Sequence, residues 1–354
     1  MKKFPNLTLV ALFSFLSTSS LFCLQAQEIA GYSITLEKDL ELVGVPLQHP
    51  ALASGAVTAV QSGPIIQWTP SFTDTAFGSA LVSGSEYYAE VVGPTTHPWL
   101  GHRFELDEVA TRLRSDHALV PSSSVWNTKG AVDASLAGAT IEVHPHITVP
   151  YLADDTLLRR MQSGGENPKS FQFFLPFPGA VSLAAQANLS GSTLLWQQLT
   201  TGRALRPEEI ILPPGTAFGL KFGDRRGLSR GFSGIVRTVP CPVPLQKGYN
   251  YVSYPFSRDL RLGVDWGSSL EGFKSGFIPK GLDRIEFCQG LQRKRYALFS
   301  ATSSGPARWR LINSARTDQW ASPAQYLEKV DVGEGFLIWK EKADPLHTFR
   351  VPKT

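Results

Sequence analysis

A chain of 354 residues with 34 basic and 30 acidic side chains has a formal charge of +4, too small a bias to point to nucleic acid or any other polyanion as an obligatory partner. Its 42% hydrophobic, 11% aromatic and 18% charged content can bury a core, which excludes a disordered chain. The length predicts about two or three domains.

In chain order, the first signal is Lys2-Lys3, an apolar stretch from Leu7 to Leu24, and Gln25-Ala26-Gln27. This pattern predicts a secretory signal peptide over residues 1–26, cleaved near Ala26. Ser14, Ser17, Thr18, Ser19 and Ser20 interrupt the apolar run, which is marginal for the roughly 20 residues a membrane span needs, and no span is expected after cleavage. Leu21 and Phe22 stand where small residues precede a lipidated cysteine, which argues against an anchor at Cys23. Loss of Lys2 and Lys3 lowers the charge to +2. Cys241 and Cys288 are then the remaining cysteines and the single candidate disulfide; two buried free thiols are the alternative.

Beyond the leader, short runs rich in Val, Ile, Phe, Tyr and Thr alternate with Gly, Pro, Asn and Asp clusters, a pattern that predicts an all-β fold. Strands are expected from Tyr32 to Leu36, Tyr87 to Val92, Arg103 to Leu106, Thr140 to Val143, Ala217 to Phe222 and Gly335 to Trp339. The best helix signal is short, with Ser322 as N-cap, Pro323 in the first turn and Ala324 to Lys329 behind it; a weaker turn lies from Thr156 to Met161.

Two halves of the chain carry the same succession of landmarks. Each opens with a strand ending in a proline and an apolar residue, Leu42-Val43-Gly44-Val45-Pro46-Leu47 and Asn250-Tyr251-Val252-Ser253-Tyr254-Pro255-Phe256. An apolar strand follows in each, and Trp196 lies 22 positions after Phe174 as Trp309 lies 22 after Phe287. Gly215-Thr216-Ala217-Phe218 then corresponds to Gly333-Glu334-Gly335-Phe336, and Ser233 to Arg237 corresponds to the closing run His347 to Val351. The first copy is longer by about the length of a small domain. The predicted organisation is two related antiparallel β-sandwich-like modules, residues 27–50 plus 147–240 and residues 241–354, with a small β-domain, 51–146, inserted in the first.

Gly248-Tyr249-Asn250-Tyr251-Val252-Ser253-Tyr254-Pro255-Phe256 and Val332-Gly333-Glu334-Gly335-Phe336-Leu337 resemble a β-module of large secreted bacterial proteins that opens Gly-x-Asn-Leu-Val-x-Asn-Pro-Phe and closes Pro-Gly-Gln-Gly-Phe. Over its mature length the chain is similar to a family of uncharacterised secreted β-rich proteins abundant in Verrucomicrobia and related bacteria. Tyr87-Tyr88-Ala89-Glu90 and His144-Pro145-His146 resemble landmarks of that family's insert. The resemblance implies export and architecture, and no activity.

Glu142, His144 and His146 alternate, so a strand turns all three to one side, a geometry from which a carboxylate and two imidazoles can hold a divalent metal. Polar residues on a solvated strand face are the alternative. Gly227-Leu228-Ser229-Arg230-Gly231 matches Gly-x-Ser-x-Gly but lacks the strand and helix that a nucleophile elbow requires, and reads as a polar hairpin loop. Arg225-Arg226 with Arg230, and Arg293-Lys294-Arg295, read as basic loops. The adjacent acids Asp107-Glu108 cannot flank a sugar ring as a sequence pair. No catalytic residue and no cofactor are expected. The function predicted is an exported, non-catalytic structural or adhesive protein of the cell envelope or extracellular space. The competing class is a polysaccharide-binding module using exposed tryptophans and basic loops, and a metal-dependent enzyme ranks third.

Overall fold

The fold is described from a computed structural model over residues 29–36, 39–70, 81–116, 118–124, 126–148, 163, 171–175, 183–190, 193–205, 210–222, 228–262, 272–276, 281–289, 292–300, 307–312, 329–331, 333–344 and 347–351. It is almost all β, built from antiparallel sheets. The predicted signal peptide, the turn at Thr156 to Met161 and the pair Arg225-Arg226 lie outside these residues, as does the predicted helix except Lys329, which begins a strand. Among the described residues no helix is long and apolar enough to cross a membrane.

The chain opens with β1 (Ile29–Leu36), β2 (Asp39–Gly44) and β3 (Leu47–Gln48). It then forms β4 (Ala53–Gln61), β5 (Ile65–Pro70), β6 (Tyr87–Gly93), β7 (Arg103–Glu105), the helix α1 (Glu108–Arg112) and β8 (Thr140–Pro145). These five strands make a sheet of their own in the order β5-β4-β8-β6-β7. Period-two alternation turns Ala89, Val91, Phe104, Ile141 and Val143 into one apolar core, all fully buried. Asp107 caps α1 by accepting from the Ala110 amide at 2.8 Å, and Glu108 pairs with Arg112. Those two acids therefore serve a helix end.

The first module resumes with β9 (Gln172–Leu175), β10 (Leu183–Ser190), β11 (Thr193–Gln198), β12 (Ala204–Leu205), β13 (Ala217–Phe222) and β14 (Leu228–Val236). A six-stranded sheet, β12-β11-β10-β9-β13-β2, faces a three-stranded one, β1-β14-β3. Tyr32, Leu47 and Phe232 from the smaller sheet share a core with Val43, Phe173, Trp196 and Phe218 from the larger. The Gly-x-Ser-x-Gly segment is corrected here: from Leu228 it is already strand, with Gly231 opposite Ser33, because the long β1 ladder extends pairing past the polar residues.

The second module contains β15 (Cys241–Pro242), β16 (Gly248–Ser253), β17 (Leu260–Arg261), β18 (Arg284–Gln289), β19 (Gln292–Phe299), β20 (Arg308–Leu311), β21 (Lys329–Val330), β22 (Gly335–Lys340) and β23 (Thr348–Phe349). Its main sheet runs β16-β22-β18-β19-β20, with the short pairs β15-β23 and β17-β21 beside it. Val252, Ile285, Phe287, Tyr296, Phe336 and Phe349 fill the core. Arg293-Lys294-Arg295 is strand rather than loop, paired with Cys288, Phe287 and Glu286 of β18.

The candidate disulfide is also corrected. Cys241 is a free thiol, fully buried in the second core, with its sulfur 3.2 Å from Nη1 of Arg103 on the insert. The side chain of Cys288 lies outside the described residues. Alkylation followed by peptide mass spectrometry should label Cys241 only after the protein is unfolded, since a thiol at 0% exposure is closed to reagent. Labelling in the native protein would contradict this placement.

Candidate functional site: a buried polar junction

The insert sheet has a second face, and it is polar. Across β7, β6 and β8 the register places Glu105 opposite Tyr88 and Tyr88 opposite His144. The next row is Arg103, Glu90 and Glu142. Alternation alone sends these side chains away from the apolar core. Apart from Glu142, whose side chain is partly exposed, they do not reach solvent: Glu90, Arg103, Glu105, His144 and His146 are each at most 4% exposed, covered by residues of the two modules.

The cover is specific. Gln48, on β3 of the first module, donates from Nε2 to the Tyr88 hydroxyl at 2.9 Å and to Glu90 Oε2 at 2.8 Å. Arg237, just past β14, donates from Nη1 to Glu90 Oε1. Arg103 reaches the other way, to the Cys241 sulfur and, at 3.5 Å, to the Pro242 carbonyl at the start of the second module. The junction thus ties the insert to both modules through charged groups taken out of water.

Electrostatics follow from that burial. Burial works against the charge of Arg237, but Glu90, Cys241 and Tyr88 outweigh it and hold the guanidinium above its ordinary range. Burial, then the Glu90 charge, pushes the Tyr88 phenol up, so it stays neutral. His49, half-buried where the chain leaves β3, is held below its ordinary value by burial and then by His144 and His146.

Glu142, His144 and His146 do gather on this face, as their alternation predicts, but the two histidines are committed elsewhere. Nδ1 of His144 bonds the His49 carbonyl at 2.8 Å, and its Nε2 lies 3.2 Å from Glu142 without forming a hydrogen bond. Nε2 of His146 meets Glu105 Oε2 at 2.5 Å. The Tyr88 ring lies against both imidazoles, stacked on His144 at 5.4 Å and tilted to His146 at 4.7 Å. Among the described residues no group of three or more His, Cys, Asp or Glu is arranged to hold a metal. The alternative of a solvated face is also overturned for the two histidines, since both are buried.

Nearby, His102 is held down to about 4 by burial, then by Lys129 and Arg103. Its Nδ1 lies 3.1 Å from the Thr128 hydroxyl, which accepts from the Arg103 amide at 2.9 Å and donates to the Arg103 carbonyl at 3.4 Å. As pH falls below 6.5 the unfolded chain binds this proton first, so stability drops from pH 6.5 to about 4 and then levels. We expect a loss of about 2 kcal/mol, allowing for partial solvation, with His49 adding the same sign. Urea unfolding of the protein and of His102→Gln at pH 7 and pH 4.5 would measure it; an unchanged pH slope in the variant would refute the assignment.

Glu90, Arg103, Glu105, Gln48 and Arg237 are the residues that sequence reasoning missed. A polar row on a strand reads the same whether water or another domain covers it. Tryptophan placement also differs from a stacking platform: Trp68, Trp99, Trp126, Trp196 and Trp309 are buried, Trp339 is half-buried, and Trp266 and Trp320 lie outside the described residues. The fold and junction define an almost all-β protein of several antiparallel sheets with a polar cluster buried where sheets meet. Comparison with protein-family models, with curated proteins and with solved structures found no match to this chain.

Proposed function

We propose that the chain is an exported, non-catalytic structural or adhesive protein of the cell envelope or extracellular space, with modules related by internal duplication. The carrying observation is the Gln48, Tyr88, Glu90 and Arg237 cluster: its polar chemistry is spent on holding domains together and is closed to substrate. Duplication is supported by the parallel strand orders β2-β13-β9-β10-β11 and β16-β22-β18-β19-β20. Export rests on the sequence of residues 1–26. Fractionation of the source cells with N-terminal sequencing tests it. A mature chain starting near Gln27 in the envelope or medium is expected, and an intact Met1 in the cytoplasm would end the proposal.

Polysaccharide binding is the second reading, favoured by one patch on the outer face of the second module. Tyr249, 46% exposed, packs edge-on to Trp339 at 4.9 Å, and Arg284 lies over the Trp339 ring at 5.1 Å. The Tyr249 hydroxyl donates to Glu286 at 2.9 Å, beside Arg295. Aromatic faces next to charged donors and acceptors suit sugar rings and hydroxyls. Titration against a glycan panel, read by tryptophan fluorescence, should give a saturable change that Trp339→Ala abolishes; a flat response to every polymer removes this reading.

A further inference from the structure

We infer that the two modules pack about an internal two-fold axis, and that two pairs of equivalent positions on that axis determine which module edge fits which. The contact between modules is reciprocal. The Gly44 amide of the first module donates to the Gly333 carbonyl of the second at 2.9 Å, and the Ser253 amide of the second donates to the Gly215 carbonyl of the first at 3.0 Å. Val43 bridges to Glu334 while Val252 bridges to Thr216. By the matched landmarks, Gly44 is equivalent to Ser253, Val43 to Val252, Gly215 to Gly333 and Thr216 to Glu334. Each contact therefore occurs twice with the modules exchanged, the signature of an isologous interface, here inside one chain.

On a two-fold axis equivalent residues meet each other, and they do so here at two points. A Cβ added to Gly44 would lie 1.9 Å from the Ser253 Cβ, and one added to Gly335 would lie 2.6 Å from the Ala217 Cβ. Gly44 and Ser253 are equivalent, and so are Ala217 and Gly335. Each pair combines one glycine with one small side chain, and the glycine sits in the first module in one pair and in the second module in the other.

That alternation selects the partner. Pairing the second module with another of its own kind would set Ser253 against Ser253, where there is room for one side chain. Pairing the first with its own kind would set Ala217 against Ala217. Only the mixed pairing satisfies both points, so the β16-β22 edge fits the β2-β13 edge and rejects itself, which is specificity by built-in clash.

The test uses the full chain and thermal unfolding. Gly44→Ser and Gly335→Ala should each lower Tm by about 8 °C, or prevent folding, through overlap in a closed interface. Adding Ser253→Gly to the first and Ala217→Gly to the second exchanges the residues across the axis and should return Tm to within about 2 °C of the parent. Steric relief alone would explain that much, so a third comparison addresses the symmetry. The Ser253 hydroxyl donates to the Thr216 carbonyl at 3.2 Å, and the hydroxyl introduced by Gly44→Ser should find the equivalent Glu334 carbonyl. The Tm difference between Gly44→Ser/Ser253→Gly and Gly44→Ala/Ser253→Gly should then equal that between the parent and Ser253→Ala. Doubles as unstable as their single glycine variants, or hydroxyl differences that disagree by more than about 3 °C, would overturn the axis.

Discussion

Replacing Arg237 with alanine should cost about 3–5 kcal/mol of stability, because it leaves Glu90, in a site 1% exposed, without its ion-pair partner among the described residues. Glu90 would keep only the Gln48 bond to Oε2, and the cheapest escape is to admit water between insert and module. The double variant Glu90→Gln/Arg237→Met should recover most of the loss, since a buried pair replaced as a unit by neutral residues is often close to neutral. Urea denaturation of the singles and the double measures this. A single-variant loss below about 1 kcal/mol would mean the pair is screened as a surface pair is, contrary to its burial.

Gly101→Ala should cost about 3 kcal/mol, for two reasons that can be separated. Its φ of +77° is one that side-chain-bearing residues rarely adopt, and a Cβ there would lie 2.0 Å from the Pro240 carbonyl oxygen. Pro240 immediately precedes the second module, so the insert, through its 99–101 loop, rests directly on the chain that joins the modules. Gly130 is the control: its φ of +80° is similar, yet nothing stands within 4 Å of its Cβ position, so Gly130→Ala should cost only about 1 kcal/mol. Equal losses at the two sites would show that backbone conformation alone sets the penalty and that the close approach is not tight.

Much of the framework is legible because burial on one side imposes a period of two. Tyr87 to Val92, Ala217 to Phe222 and Gly335 to Trp339 lie in strands where their aromatic and β-branched content predicts them. Arg293-Lys294-Arg295 reads as a loop only when charge is treated as a turn signal, whereas these residues run along a strand hydrogen-bonded to β18. Alternation also correctly groups Glu142, His144 and His146. It cannot tell that Gln48 and Arg237, nearly 190 positions apart, close over that face, since their pairing with Glu90 depends on how separate sheets dock. The thiol has the same limit: Cys241 meets Arg103 across 138 positions, a contact no spacing rule anticipates.

The two crossing points between the first module and its insert lie side by side. The Leu52 amide donates to the Val143 carbonyl at 2.8 Å, and His144 holds the carbonyl of His49, so the outgoing and returning chains are hydrogen-bonded to each other before Ile147 re-enters the first core. In polymer terms the excursion from 51 to 146 is a closed loop whose ends are pinned together locally. The entropy of closing such a loop rises only with the logarithm of its length, by about 0.6 kcal/mol per doubling. The host therefore feels the stem and the buried contacts of Gln48 and Arg237 with the insert, and almost nothing of what lies beyond them. Residues added or removed at the far side of the excursion, around β5, would leave the registers of β2, β13 and β9 as they are.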